Sequence, residues 1–289
     1  MRTLVIGDIH GAHNALLQCL ERSEFGYAED RLIVLGDICD GYPQVKQCID
    51  EMLKIKNLDY VIGNHDLWAL DWARKGIRED IWLTQGGYNT MASYEFGEMP
   101  PEHIHFLANA RPWIEENNRL FVHGGFNPEK PISKQDLQTL VWDRDLVYDA
   151  FQKYHVRPDF RYGNFEEIFL GHTPTTNFGF LDPLKLGNVW MLDTGAGWGG
   201  RLTIMDVETK EYWQSDLTSI LSHRNFKVEI PIPPLAGPDS QATRCDPAKG
   251  GPPRPVGTPP VAGSLAGKGD SARAKRVPIW YPCITRRSR

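Results

Sequence analysis

No run of about eighteen apolar residues occurs in this 289-residue chain, which excludes a membrane-spanning helix. The opening residues, MRTLVIGDIHG, enter an apolar β-branched run at once, so no export signal is expected. Cysteine is scarce. Cys19, Cys39, Cys48, Cys245 and Cys283 are odd in number and show no C-x-x-C spacing, so neither a disulfide framework nor a zinc ribbon is indicated. A reducing, cytoplasmic setting is the expectation. Internal repetition is also lacking, apart from a recurring Gly-Asp. What is present is an ordinary globular mixture, 41% hydrophobic and 11% aromatic, with length enough for one large domain or two.

The net charge of −5 conceals two unlike parts. Residues 1–230 carry 22 Lys and Arg against 34 Asp and Glu, whereas residues 231–289 carry ten against three. The second part also holds twelve of the 21 prolines and no sustained apolar periodicity, so it cannot bury enough surface to offset its ordering entropy. Residues 1–230 are therefore expected to form one folded domain. Residues 231–289 are expected to be a disordered basic tail, so unlike the body that a non-native extension is one reading of it. Its end, ARAKRVPIWYPCITRRSR, reads as a solvated tail, with contact to nucleic acid or a membrane surface as the weaker alternative.

Within 1–230, short β-branched runs alternate with amphipathic stretches, the pattern of an α/β protein with a parallel-rich sheet. TLVI leads into HNALLQCLE, RLIVL into PQVKQCIDEMLKI, and YVI into LWALDWARKG. In the second helix Pro43 suits the first turn, and Val45, Cys48, Ile49, Met52 and Leu53 share a face. Further strands are expected at RLFV, EIFL, NVWML and RLTIMDV, and a helix start at Ser133 to Asp136.

The strands stop in a regular way. TLVI runs into Gly7-Asp8-Ile9-His10, RLIVL into Gly36-Asp37 with Asp40 beyond, and YVI into Gly63-Asn64-His65-Asp66. RLFV ends at His123 and EIFL at Gly171-His172. In open α/β sheets ligands gather beyond the carboxyl ends of strands, so these five loops can converge. A lone Gly-Asp is usually a turn and a lone histidine usually a core residue; it is the ordered set that points to a site. Carboxylate, imidazole and amide oxygen are transition-metal ligands, and their number exceeds what one tetrahedral ion needs. Two divalent ions are implied, with Asp37 as the natural bridge.

These same segments, GDIHG, GDICDG, GNHD, HGG and GHTP, resemble the calcineurin-like metallophosphoesterases, within them the bacterial and phage-type protein serine/threonine phosphatases. DTGAGWGGRLTIMD is similar to the closing strand segment of the bacterial members. The resemblance implies a four-layer α/β/β/α sandwich. It also implies that Asp8 and His10 hold the first metal, that Asp37 bridges, and that Asn64, His123 and His172 hold the second. His65 is then the general acid, with Asp40 keeping its imidazole oriented and charged. The implied reaction is in-line attack on a phosphomonoester by a metal-bridging hydroxide, without a phosphoenzyme. Manganese is the expected ion in vitro, with iron and zinc as alternatives the ligand set also accepts.

One position departs from the family. GDxxDRG carries an arginine that grips phosphate, and this chain has Gly41 there. Losing such a contact should cost about 1.5–3 kcal/mol in phosphoryl binding, and Gly41→Arg is expected to lower KM. Arg144, in VWDRD, matches the W-x-R of the phage-type phosphatases and is the expected phosphate-binding cation; an ion pair with Asp143 or Asp145 is its structural alternative.

Other candidates weigh less. Trp68 and Trp72 read as core packing, and His103 and His105 face different sides of a helix. Trp198 is a candidate wall of the site, whereas the protease-like triplet Asp193-Thr194-Gly195 explains none of the histidines.

The leading expectation is hydrolysis of phosphoserine or phosphothreonine proteins. A nucleotide or nucleic-acid phosphate hydrolase, acting on diadenosine tetraphosphate or 2′,3′-cyclic nucleotides, is the second. A phosphoprotein-binding module with little turnover is the third. A phosphorylated protein or small phosphoester is the expected partner, and no membrane.

Overall fold

The computed structural model describes residues 1–222, so the expected tail from residue 231 lies outside the described residues. Ten strands occur among them. The chain runs through β1 (Thr3–Ile6), β2 (Arg31–Val34) and β3 (Asn57–Tyr60), then β4 (Ile114–Glu116), β5 (Arg119–Val122) and β6 (Glu167–Leu170). It closes with β7 (Leu184–Leu186), β8 (Val189–Met191), β9 (Thr203–Asp206) and β10 (Tyr212–Gln214). The strands form two five-stranded sheets, ordered β10-β9-β1-β2-β3 and β4-β5-β6-β8-β7. Three strands run parallel in each: β1, β2 and β3 at one side of the first, β5, β6 and β8 at the middle of the second.

Strand alternation explains why there are four layers. Successive side chains point to opposite faces of a sheet. In β1 and β2, Leu4, Ile6, Leu32 and Val34 bury under helices, while Val5 and Ile33 bury between the sheets. In β5 and β6, Leu120, Val122, Ile168 and Leu170 face the second set of helices, while Phe121 and Phe169 stack in the middle with ring centroids 4.9 Å apart. Three apolar cores thus separate helix, sheet, sheet and helix, and each buried aliphatic or aromatic side chain contributes about 1.5–3 kcal/mol. At the amino end of these strands Arg31 reaches across to Glu116 and Arg119 to Glu208, tying sheet to sheet far from the strand tips.

Helices α1 (His13–Arg22), α2 (Val45–Met52) and α3 (Asn64–Lys75) cover the first sheet. Helices Leu137–Trp142 and Asp145–Tyr154 cover the second. In α2 the residues Val45, Cys48, Ile49 and Met52 form the buried face the spacing predicts. Pro43 stands ahead of the cap residue Gln44 rather than in the first turn. The helix expected near Ser133 to Asp136 is capped by Asp136, whose carboxylate accepts the Thr139 N–H at 2.8 Å. The larger difference is at α3. The Gly63-Asn64-His65-Asp66 segment is not a loop; Gly63 caps the helix and the other three form its first turn.

Candidate metal centre

The six parallel strands carry the site at their carboxyl ends. β1 delivers Asp8 and His10, β2 delivers Asp37 and Asp40, α3 follows β3 with Asn64 and His65, and β5 and β6 deliver His123 and His172. All eight side chains are buried. The backbone is bent to achieve this: His10, Asp37, Asp40 and His172 have φ of 49°, 51°, 70° and 63°. Left-handed backbone costs a non-glycine residue about 1 kcal/mol or more, and it persists where surrounding structure imposes it.

Asp37 is central. Its Oδ2 lies 3.2 Å from Nε2 of His123 and 3.8 Å from Nε2 of His10. A carbonyl oxygen can only accept, so the contacts of His123 Nδ1 with Leu35 O (2.7 Å) and of His10 Nδ1 with Cys39 O (2.9 Å) make both Nδ1 atoms donors. Each ring is thereby oriented with Nε2 toward Asp37, as outer contacts of metal-binding histidines do. His123 Nε2 also lies 3.1 Å from Asn64 Oδ1. Carboxylate, amide oxygen and imidazole nitrogen thus converge as acceptors, and only a cation or an added proton reconciles them. Burial opposes charge on His123, but Asp37 outweighs it and raises the imidazole pKa.

Two overlapping groups have one ligand atom from each residue within 4.8 Å of the others: His10, Asp37 and His65, and Asp37, His123 and His172. They share Asp37, and this donor set fits a pair of divalent ions. Asp8 stands outside both groups. Its carboxylate accepts the His172 N–H at 3.0 and 3.2 Å, and burial together with Asp193 and Asp37 raises its pKa.

His65 Nδ1 donates to Asp40 Oδ2 at 2.6 Å. Burial lowers the imidazole pKa, but the Asp37 charge and the Asp40 hydrogen bond outweigh it and raise the value to about 9. His172 goes the other way. Burial first, then the neighbouring His123 and Arg144 charges, lower it to about 2, so its ring is neutral. Arg144 Nε donates to His172 Nε2 at 3.0 Å, which places the guanidinium at the mouth of the site.

Position 41 is more than a missing side chain. Gly41 has φ of 70°, and a Cβ there would stand 2.8 Å from both Cβ and the carbonyl oxygen of His10. The expectation that Gly41→Arg lowers KM therefore meets a backbone that resists any side chain.

Several residues were not legible as site residues. Asp66 accepts the backbone N–H groups of Asp37 (2.8 Å), Ile38 (3.0 Å), Cys39 (3.2 Å) and Gly63 (2.9 Å), and so fixes two loops together. Its place at the end of Gly63-Asn64-His65-Asp66 was the signal. Asp193 follows β8 as a carboxylate at a sixth strand end, its pKa raised to about 6 chiefly by burial. Trp68 is not only core: its ring meets His65 edge-on at 5.2 Å and Trp142 at 5.0 Å. Trp72 packs on Trp82 in the core. His103 is buried between Tyr94 and Asp50, while His105 pairs with Asn109 on the outside. Trp198 is 53% exposed, beside Gly197, whose backbone lies against the His10 ring.

A fold with two helix-covered sheets and a carboxylate shared between two histidine groups defines a class, and the sequence agrees. The calcineurin-like phosphoesterase family model matches residues 1–198, and the chain belongs to that family, a metal-dependent hydrolase. Among curated relatives, serine/threonine-protein phosphatase 1 of Salmonella typhimurium is 29% identical over 214 residues, covering 71% of this chain and 91% of that protein. The symmetrical bis(5′-nucleosyl)-tetraphosphatase of Neisseria meningitidis is 23% identical over 285 residues, covering 78% of this chain and 99% of that protein. A solved structure provisionally named a diadenosine tetraphosphatase shares the fold, with a TM-score of 0.57 at 18% identity over 74% of this chain and 92% of that one. No helix among the described residues is long and apolar enough to cross a membrane.

Proposed function

We propose that the chain hydrolyses phosphomonoesters with two divalent ions, and that its substrates are phosphoserine or phosphothreonine proteins. The observation that carries this reading is the convergence of His10 and His123 on Asp37, with Asn64 against His123 and the His65–Asp40 pair beside them. Asp8 and His10 would hold the first ion, Asp37 would bridge, and Asn64, His123 and His172 would hold the second. When bound, the ions supply Lewis acidity and lower the pKa of water. The chain supplies the rest. His65 gives its proton to the leaving oxygen, Asp40 keeps that imidazole charged and aimed, and Arg144 binds a phosphoryl oxygen. A binding module without turnover would need neither His65 nor Asp40. Manganese is the ion of choice in vitro, and the free buried thiols of Cys19, Cys39 and Cys48 suit a reducing cytoplasm.

The protein-phosphatase branch rests on the 29% identity to the Salmonella enzyme. Hydrolysis of dinucleoside polyphosphates is the second reading, favoured by the match along nearly the whole tetraphosphatase. Purified protein given Mn²⁺ should hydrolyse phenyl phosphate, whose leaving group needs a proton, and Asp37→Asn and His65→Asn should abolish this while remaining folded. Equal inertness of the wild type after metal reconstitution would count against the reading. A phosphopeptide, diadenosine tetraphosphate and a 2′,3′-cyclic nucleotide at equal concentration separate the substrate classes.

A further inference from the structure

Asp40 is held from a side that no recognised motif contributes. The chain after α3 folds through a short helix, Asp80–Trp82, and back through Ser93, crossing over the Asp40–Gly41 turn. From this strap Trp82 Nε1 donates to both oxygens of Asp40, at 2.9 and 2.8 Å. Thr90 Oγ1 accepts the backbone N–H of Asp40 at 2.8 Å and donates to Asp40 Oδ1 at 2.6 Å. Asn89 Nδ2 donates to the Gly41 carbonyl at 2.6 Å. Room is made for the indole at Gly87, where a Cβ would stand 2.3 Å from the Trp82 ring. The T-Q-G-G-Y-N-T run thus acquires a reason: it shapes a cover for Asp40.

A carboxylate bonded only to one imidazole can rotate about its last bond and take the ring with it. Donors arriving from two further residues remove that freedom. Oδ2 stays on His65 Nδ1, and the far side of the ring keeps its aim. We propose that Trp82 and Thr90 are positioning residues for the proton-donating pair, acting through Asp40 and making no contact with the phosphoryl group. This rests on the reading of His65 as the general acid.

Aim of an acid matters in proportion to how much the leaving group needs a proton. 4-Nitrophenolate departs nearly unaided; phenolate does not. Trp82→Phe, which keeps a flat ring and loses the N–H, should lose about tenfold or more in kcat on phenyl phosphate and less than about threefold on 4-nitrophenyl phosphate. KM and manganese content should be unchanged. Thr90→Val should behave alike and Thr90→Ser should restore the rate. Equal loss on both substrates, or no loss on either, would overturn the proposal. His65→Asn is the reference. If it shows the steep leaving-group dependence and Trp82→Phe and Thr90→Val do not, the positioning role alone fails; if it loses equally on both, the acid reading fails and takes the proposal with it. Should Trp82→Phe not fold, as judged by circular dichroism, the Thr90 pair decides.

Discussion

Asp40 Oδ2 lies 2.6 Å from Nδ1 of His65, with both groups buried, so the imidazole is held in its charged form by a partner that water does not reach. With the His65 pKa raised to about 9, the acid is protonated below that value and loses its proton as pH rises through it. Bound dications push in the opposite direction, which puts the alkaline limb of kcat in the loaded enzyme below pH 9. Asp40→Asn removes part of the support. The limb should move to lower pH and kcat should fall about a hundredfold, read from a pH–rate profile on phenyl phosphate.

Arg144 touches His172 and no acidic side chain among the ion pairs of the described residues, so its guanidinium is oriented toward the site rather than neutralised beside it. Arg144→Ala should raise KM for aryl phosphate by roughly ten- to a hundredfold, the worth of one charge-assisted contact, with a smaller change in kcat. Steady-state kinetics at saturating Mn²⁺ checks this. An unchanged KM would return Arg144 to a surface role.

Gly41→Arg should destabilise the fold and leave KM no lower, because the new Cβ meets His10 at 2.8 Å on a left-handed backbone. Thermal melting and Michaelis curves of the variant settle it. A lower KM at unchanged Tm would mean the turn can relax to accept the arginine.

The sequence made the general plan visible because its signals are local. Short apolar β-branched runs, helical spacing in Val45 to Met52, and polar clusters at strand ends each occupy a few adjacent residues. What stayed hidden depends on distant contacts. Nothing near Trp82 or Thr90 announces Asp40, and nothing near Asp66 announces the backbone of Asp37 to Cys39. The left-handed φ at His10, Asp37, Asp40 and His172 is likewise imposed by tertiary structure, since no glycine marks it. The helical first turn at Asn64 was masked because Gly63 reads equally well as a turn residue.

Asp66 offers a test of that hidden layer. It joins two loops through four backbone N–H groups without belonging to either ligand group. Asp66→Asn should weaken manganese affinity about ten- to a hundredfold, as loss of an orienting outer contact does. Titration of stripped protein with Mn²⁺ measures it, and wild-type affinity in the variant would make Asp66 a folding residue only.

The most direct measurement is anomalous diffraction at the manganese edge from crystals grown with Mn²⁺. Two peaks about 3.5–4 Å apart, one on each side of the Asp37 carboxylate and within ligand distance of His10 and His123, are expected. A single peak, or manganese bound away from Asp37, would contradict the shared-carboxylate centre.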